Sequence, residues 1–413
     1  MNTSKQPGGD RLTPLVATLN IRGQTKMNMI KQMQIDELVK AQKAAIIFFQ
    51  ESHILDQTFE NCPHIKNNFQ LLINNAENGY GTSALIHNSL KIENVKALPG
   101  GRILYFEINR ISFCNVYLPS GTAGKAEREA ILGDSLPNLL LDSCKTGVIA
   151  GDWNTIDNVK DATHLATSKV SSVLQRLGRV MQWRDLFRGL HPSKKSFSHV
   201  YRRNMGDQGL TEGAARLDRI YAWGDLTCTK AEYFPAAFSD HMGLSVAISL
   251  PALSPVVESK FRTYFKINPE VATDPRFQAL VSESVENWLP AKKLMPLLEW
   301  WDCLKADVKA AAKTVTSERR NERKQELAFL MTLQAHLAAK VSGGDLHSFA
   351  DLKHTQERIT SWFSIRAKEV ILHANIKEAE DSEQTLIYHH EKLKKKTEKD
   401  LRSSNSKTMK GNL

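Results

Sequence analysis

No apolar run in this 413-residue chain is long enough to cross a bilayer. The start, Met1 to Arg11, is polar and lacks the apolar segment of a secretory signal. Cysteine is scarce. The five present (Cys62, Cys114, Cys144, Cys228 and Cys303) are scattered, odd in number and never form a CxxC pair. That argues against a disulfide framework and a structural zinc site, and for a reducing compartment, nuclear or cytoplasmic rather than secreted. Acidic residues are outnumbered, 45 against 55 Lys and Arg, for a net charge of +10. The surplus is shared: 28 basic against 23 acidic residues lie up to position 250, and 27 against 22 beyond it. It therefore does not come from a basic tail alone, and it suits a polyanionic partner such as nucleic acid.

What the chain does have is a series of short apolar runs that end in polar residues. Val148-Ile149-Ala150 reads as a strand buried on both faces, and it stops at Gly151-Asp152-Trp153-Asn154. An acid at the carboxyl end of a buried strand is held rigidly while the adjoining loop opens to solvent. Pro14 to Asn20 is a first strand ending in an amide, followed by a turn at Ile21-Arg22-Gly23 and a helix carrying Met29, Met33, Leu38 and Val39. Ala45 to Phe49 is another buried strand and runs into Gln50-Glu51. Glu51 and Asp152 on two strand ends suggest a divalent-metal site, since Mg2+ favours one or two carboxylates with water and phosphate.

From Gln70 to Leu118, short strands alternating with Gly and Asn turns predict a mostly antiparallel meander that delivers Tyr117 to a loop. Helices are expected at about 125–141 and 170–181. A stretch dense in cations and rings follows, from Trp183 through Lys194 and Lys195 to Arg202 and Arg203, as a nucleic-acid groove would need. Phe187 and Phe197 within it read better as core. Two alternating strands, Ser196–Tyr201 and Arg216–Tyr221, flank a long polar hairpin loop over 204–213, and Ser239-Asp240-His241 leads into a last strand. Ser198, Arg202, Arg203 and Arg216, with Lys194 and Lys195, are the candidate DNA contacts.

Taken in order, Leu19-Asn20-Ile21-Arg22-Gly23, Gln50-Glu51, Tyr117, Gly151-Asp152-Trp153-Asn154, Arg216-Leu217-Asp218-Arg219 and Ser239-Asp240-His241 resemble the endonuclease/exonuclease/phosphatase superfamily over residues 14 to 250. Within it, the pattern most resembles the apurinic-type endonuclease domain of non-LTR (LINE-type) retrotransposons. The resemblance implies a DNase-I-like, four-layer α/β sandwich, two packed sheets with helices on both outer faces. It also implies an Mg2+-dependent endonuclease, Mn2+ substituting, that nicks one strand of double-stranded DNA and leaves a 3′-hydroxyl. By resemblance Glu51 would ligate the metal, Asn20 would order that site, and Asp240 would be a further or outer ligand. Asp152 would deprotonate the attacking water, held by Asn154. His241, bonded to Asp218, would stabilise the phosphate oxygens, and Tyr117 would contact the phosphate or the leaving oxygen. Arg22 stands where many repair-type members have an acid, which bears on a second metal at that position. A same-fold phosphodiesterase for a lipid or nucleotide, and a catalytically dead nucleic-acid-binding remnant, are the alternatives.

Beyond a flexible start over 1–13 and the domain over 14–250, a linker with short helices is expected over 251–315. A helical hairpin region is expected over 316–396 and a disordered basic tail over 397–413. The hairpin would pair a Leu330, Leu333, Leu337, Val341 stripe with an Ile359, Phe363, Val370, Ala374 stripe across the Ser342-Gly343-Gly344 break. In the retrotransposon family such a segment precedes a reverse transcriptase, which with the element RNA would be a partner. No aromatic-X-Asp-Asp polymerase box occurs in the chain.

Overall fold

The computed structural model describes residues 15–22, 27–76, 81–163, 170–204, 210–249 and 269–369. The strands are β1 (Leu15–Asn20), β2 (Ala44–Gln50), β3 (Phe69–Asn75), β4 (Gly81–His87), β5 (Glu93–Ala97), β6 (Ile103–Ile108) and β7 (Ile111–Tyr117). They continue with β8 (Gly147–Asp152), β9 (Arg184–Asp185), β10 (His199–Asn204), β11 (Leu210–Ala215), β12 (Asp218–Trp223), β13 (Cys228–Pro235) and β14 (Met242–Ile248). They form two six-stranded sheets, ordered β13-β14-β1-β2-β4-β3 and β5-β6-β7-β8-β12-β9, and a separate β10-β11 hairpin.

Each sheet has a single parallel pairing, β1 with β2 and β7 with β8, and is otherwise antiparallel. The expected meander is thus split between the sheets, β3 and β4 in one and β5 to β7 in the other. β5 is a short charged edge strand with one half-covered residue, Glu93, so its sequence shows no apolar alternation.

The central strands read as unbroken apolar runs because both faces are covered. Val16, Ile46, Phe48, Phe106, Phe113, Val148, Ile220 and Val246 meet between the sheets. Phe106 stacks on Phe113 at 5.6 Å and meets Phe48 of the opposite sheet at 5.9 Å. Removing that ring would leave a void and cost about 3–5 kcal/mol. The alternate residues face outward under helices. Ala17, Leu19, Ile47 and Phe49 pack on Ile35, Leu38 and Val39 of the helix Met29–Gln42. Tyr105, Cys114, Ile149 and Tyr221 pack on Leu136 and Leu140 and on Leu174 and Leu177 of the helix Ser172–Val180. The architecture is the expected four-layer α/β sandwich followed by a helical region.

The helix expected at 125–141 opens into a wider turn at Ile131–Ser135. Farther on, a 14-residue helix Pro275–Trp288 lies against a 46-residue helix Leu297–Ser342 through Phe277, Ala311, Ala312 and Val315. That long helix begins well before residue 316, within the span expected as a linker with short helices. Its first turns expose Leu297, Leu298 and Trp301, so no one-sided apolar stripe marks them. Its far end packs on the sandwich: Leu337, Ala338 and Val341 join Leu352, Val200 and Met242 in one cluster. Ser342 Oγ accepts from the Phe197 N–H at 2.9 Å and donates to the Phe197 carbonyl at 2.8 Å.

By internal contacts the chain forms two compact units, Met1–Ile359 and Thr360–Leu413. Of the second unit only 360–369 are described, and they are helical. Val370, Ala374, the start over 1–13 and the tail over 397–413 lie outside the described residues.

Candidate active site

Register brings the strand ends together. In one sheet Asp152 of β8 stands beside Tyr117 of β7 on one side and Asp218 of β12 on the other. In the other sheet Asn20 of β1 stands beside Gln50 of β2, which places Glu51 immediately past the strand. Parallel pairing puts both carboxyl ends of β1 and β2 at the same edge.

Three non-glycine residues here, Arg22, Glu51 and Asn154, have positive φ of 51°, 50° and 45°. Such left-handed geometry is unfavourable for side-chain-bearing residues and turns them off the strand line at the edge. Gly151, at φ 152°, is required by space: a Cβ there would fall 1.8 Å from the Val116 carbonyl oxygen of the adjacent strand.

The Asn20 amide links the two acids. Its Nδ2 donates to Glu51 Oε1 at 3.0 Å and to Asp152 Oδ2 at 2.9 Å. Asn154 holds Asp152 from the other side, with its backbone N–H on Oδ1 at 3.0 Å and its Nδ2 on Oδ2 at 3.0 Å. Tyr117 donates to Glu51 Oε1 at 3.3 Å, and the Arg102 guanidinium lies 4.7 Å from its ring centre. Opposite, His241 Nδ1 lies 2.8 Å from Asp218 Oδ2, both groups buried. Ser239 joins the halves, donating to the Asn20 carbonyl at 2.6 Å and accepting from the His241 N–H at 3.0 Å. Asp240 points the other way, 3.6 Å from Arg22 Nε and 3.9 Å from His199 Nε2.

Burial, aided by the negative charge of Asp218, pushes the Asp152 carboxyl up to about 6, against His241 and the Asn20 and Asn154 hydrogen bonds. Burial works against charge on His241, but the Asp218 carboxylate outweighs it and raises the imidazole to about 10. Burial and the neighbouring His241 lower His199 to about 4. The site thus holds a carboxylate able to accept a proton and an imidazolium able to face an anion.

Two residues expected to touch DNA have other duties. Arg216 is 1% exposed. Its guanidinium is bidentate to Asp161, at 2.8 and 2.9 Å, and reaches Asp185 at 2.6 Å, so it is not presented to a ligand. Ser198 is fully buried, and its hydroxyl accepts from the N–H groups of Leu217 and Asp218 at 2.8 and 2.9 Å, so it fixes the strand that carries Asp218. Lys194 and Lys195 are exposed. Arg202 and Arg203 lie on β10 in register with Glu212 and Thr211.

Other supports carried no motif. Gln50 donates to Asn115 Oδ1 at 2.6 Å, and Asn115 returns hydrogen bonds to the Phe49 and Ser83 carbonyls, a buried polar bridge between the sheets beneath Glu51. Asp161 binds Arg188 as well as Arg216. His199, a lone histidine in an alternating strand, lies with its ring centre 4.4 Å from that of His241. Only the strand alternation hinted at it.

The donors fit a hard divalent cation: the half-exposed Glu51 carboxylate and the Asp152 carboxylate offer oxygens on either side of the Asn20 amide nitrogen, whose own oxygen accepts from the Arg22 N–H at 2.8 Å. Carboxylates, amides and a buried imidazole gathered at one edge of a two-sheet sandwich define a phosphoester hydrolase. The chain belongs to the Endonuclease/Exonuclease/phosphatase family, whose model matches residues 17–241.

No curated protein matches the chain. Solved structures that resemble it include an AP endonuclease from Archaeoglobus fulgidus, at 18% identity and TM-score 0.47, covering 57% of this chain and 100% of that one. Truncated Caenorhabditis elegans TDP2 is 19% identical, with TM-score 0.42, covering 57% of this chain and 96% of that one. The 3′ phosphatase NExo from Neisseria, bound to a product DNA hairpin, is 14% identical, with TM-score 0.46, covering 57% and 100%.

Proposed function

We propose that the chain is an Mg2+-dependent DNA endonuclease of the non-LTR retrotransposon type, nicking one strand and leaving a 3′-hydroxyl that can prime reverse transcription. The observation that carries this reading is the Asn20 amide, bonded to Glu51 and Asp152 at once, facing a buried Asp218–His241 pair.

Asp152, with its raised proton affinity and its two Asn154 hydrogen bonds, orients a water and takes its proton as the water attacks phosphorus. His241, kept charged by Asp218, binds a non-bridging oxygen as negative charge builds. Tyr117, buried beside Glu51, positions the phosphate or the leaving oxygen. Glu51 and Asn20 would hold Mg2+, which supplies charge neutralisation to the leaving oxygen. The basic surplus, exposed Lys194 and Lys195, and Arg202 and Arg203 on the β10–β11 hairpin are the features that favour DNA as substrate.

Supercoiled plasmid incubated with the protein in Mg2+ should relax to the open circle, and EDTA should abolish it. DNA ligase should then reseal the nick, since it needs a 3′-hydroxyl and a 5′-phosphate. No open circle, or nicks that ligase cannot reseal, would count against the reading.

A further inference from the structure

His199 is absorbed by no step above, yet it lies at the same edge. His199 and His241 face each other across an antiparallel bridge. The adjoining bond from the Met242 N–H to the Ser198 carbonyl is 2.7 Å long, so the backbone sets the spacing of the two imidazoles. Their ring centres are 4.4 Å apart. His199 Nε2 lies 3.9 Å from Asp240 Oδ2, and its Nδ1 finds no hydrogen-bond partner among the described residues. One donor atom from each of His199, Asp240 and His241 lies within 4.8 Å of the other two.

We propose that His199, Asp240 and His241 form a site for a borderline-soft transition-metal cation of the Zn2+ class, separate from the oxygen site at Glu51 and Asn20, and that its occupancy is inhibitory. Two imidazoles and a carboxylate are ligands that Zn2+ takes and Mg2+ does not favour. Asp218 already occupies Nδ1 of His241, so the cation would take Nε2 and displace the proton that His241 otherwise carries there to solvent, giving a carboxylate–histidine–metal relay of the kind that fixes ring orientation in zinc sites. Asp240, with a side chain 41% exposed, needs only to turn from Arg22, a half-exposed partner at 3.6 Å. A cation on Nε2 takes the atom that would otherwise face the substrate phosphate. The inhibitory half rests on the function proposed above; the binding half does not.

Metal-free full-length protein titrated with ZnCl2 in excess Mg2+, against a competing zinc chromophore, tests both halves. The expected result is one tightly held Zn2+, with affinity reduced about tenfold or more in both His199→Gln and Asp240→Asn. Glu51→Gln should bind Zn2+ like wild type. Circular dichroism confirms folding, and the half-exposed Asp240 provides a variant that does not disturb the buried strand. No Zn2+ uptake by wild type, or unchanged affinity in both variants, overturns the site. If Zn2+ binds but Mg2+-supported nicking is unaffected by it, the inhibitory half is overturned. Absent nicking with intact, His199-dependent Zn2+ binding supports the site while it refutes the endonuclease reading.

Discussion

His241 Nδ1 and Asp218 Oδ2 lie 2.8 Å apart and both out of solvent, and the carboxylate holds the imidazole well above the ordinary histidine value. Neither partner is useful alone: without Asp218 the buried imidazole has little reason to hold its proton. Asp218→Ala and His241→Ala should therefore each slow nicking by ~10² or more, and the double variant should lose scarcely more than either. Additive losses in single-turnover rates would show that the two act independently.

The same pair gives stability a pH signature. The folded value of His241, about 10, lies above the ordinary histidine value near 6.5. Its contribution is therefore full below about 6.5, declines as pH rises, and is gone above about 10. Denaturant melts of wild type and His241→Gln should converge as pH is raised through that window. A gap that widens towards pH 10 would contradict the assignment.

Activity should show a plateau for a related reason. Asp152 must be ionised to take a proton, and its value is raised to about 6, while His241 stays protonated to about 10. The rate is expected to rise through about pH 6 and fall towards 10, the limbs reporting the coupled set rather than single residues. Asp152→Asn should lower turnover by ~10² or more. Plasmid relaxed equally well by that variant would remove Asp152 as the base.

Substrate grip and nick choice should separate. Replacing Arg202 and Arg203 by Ala is expected to weaken binding on every sequence and to reduce the salt slope by about one to two. Shortening 205–209, the segment that joins β10 to β11, should instead redistribute nick positions, since a hairpin connection can sense groove width and the ease of kinking. Sequencing the nicks decides it: an unchanged pattern after loop shortening puts selectivity elsewhere.

Much of this site is legible in one dimension because the sandwich covers its central strands on both faces. A strand such as Val148 to Ala150 then has no polar residue until it emerges, and the first one to emerge is Asp152. Glu51 and Asn20 are found in the same way. What cannot be read is anything decided across strands. His199 gains its place from facing His241, and Gln50 and Asn115 gain theirs from the gap between sheets. Arg216 misleads for the same reason. In a row of cations it resembles a phosphate contact, and only the fold reveals Asp161 and Asp185 around it. The start of the long helix at Leu297 is hidden because its exposed apolar residues blur the helical period.

Ser342 has a consequence for where this protein can be cut. Its hydroxyl and carbonyl together occupy the backbone N–H of Phe197, two residues from His199, and Ser196 joins them at 3.0 Å. Val200 and Met242 are roofed by Leu337, Ala338 and Val341 of the same helix. A fragment ending near residue 250 would thus keep every motif of the candidate site and lose the cover on the strand between them, baring an apolar seam and an unmatched amide beside that edge. By internal contacts the first compact unit runs on to Ile359, well past that point. In modular terms, the helical arm is a wall of the enzyme and not a tether hung from it.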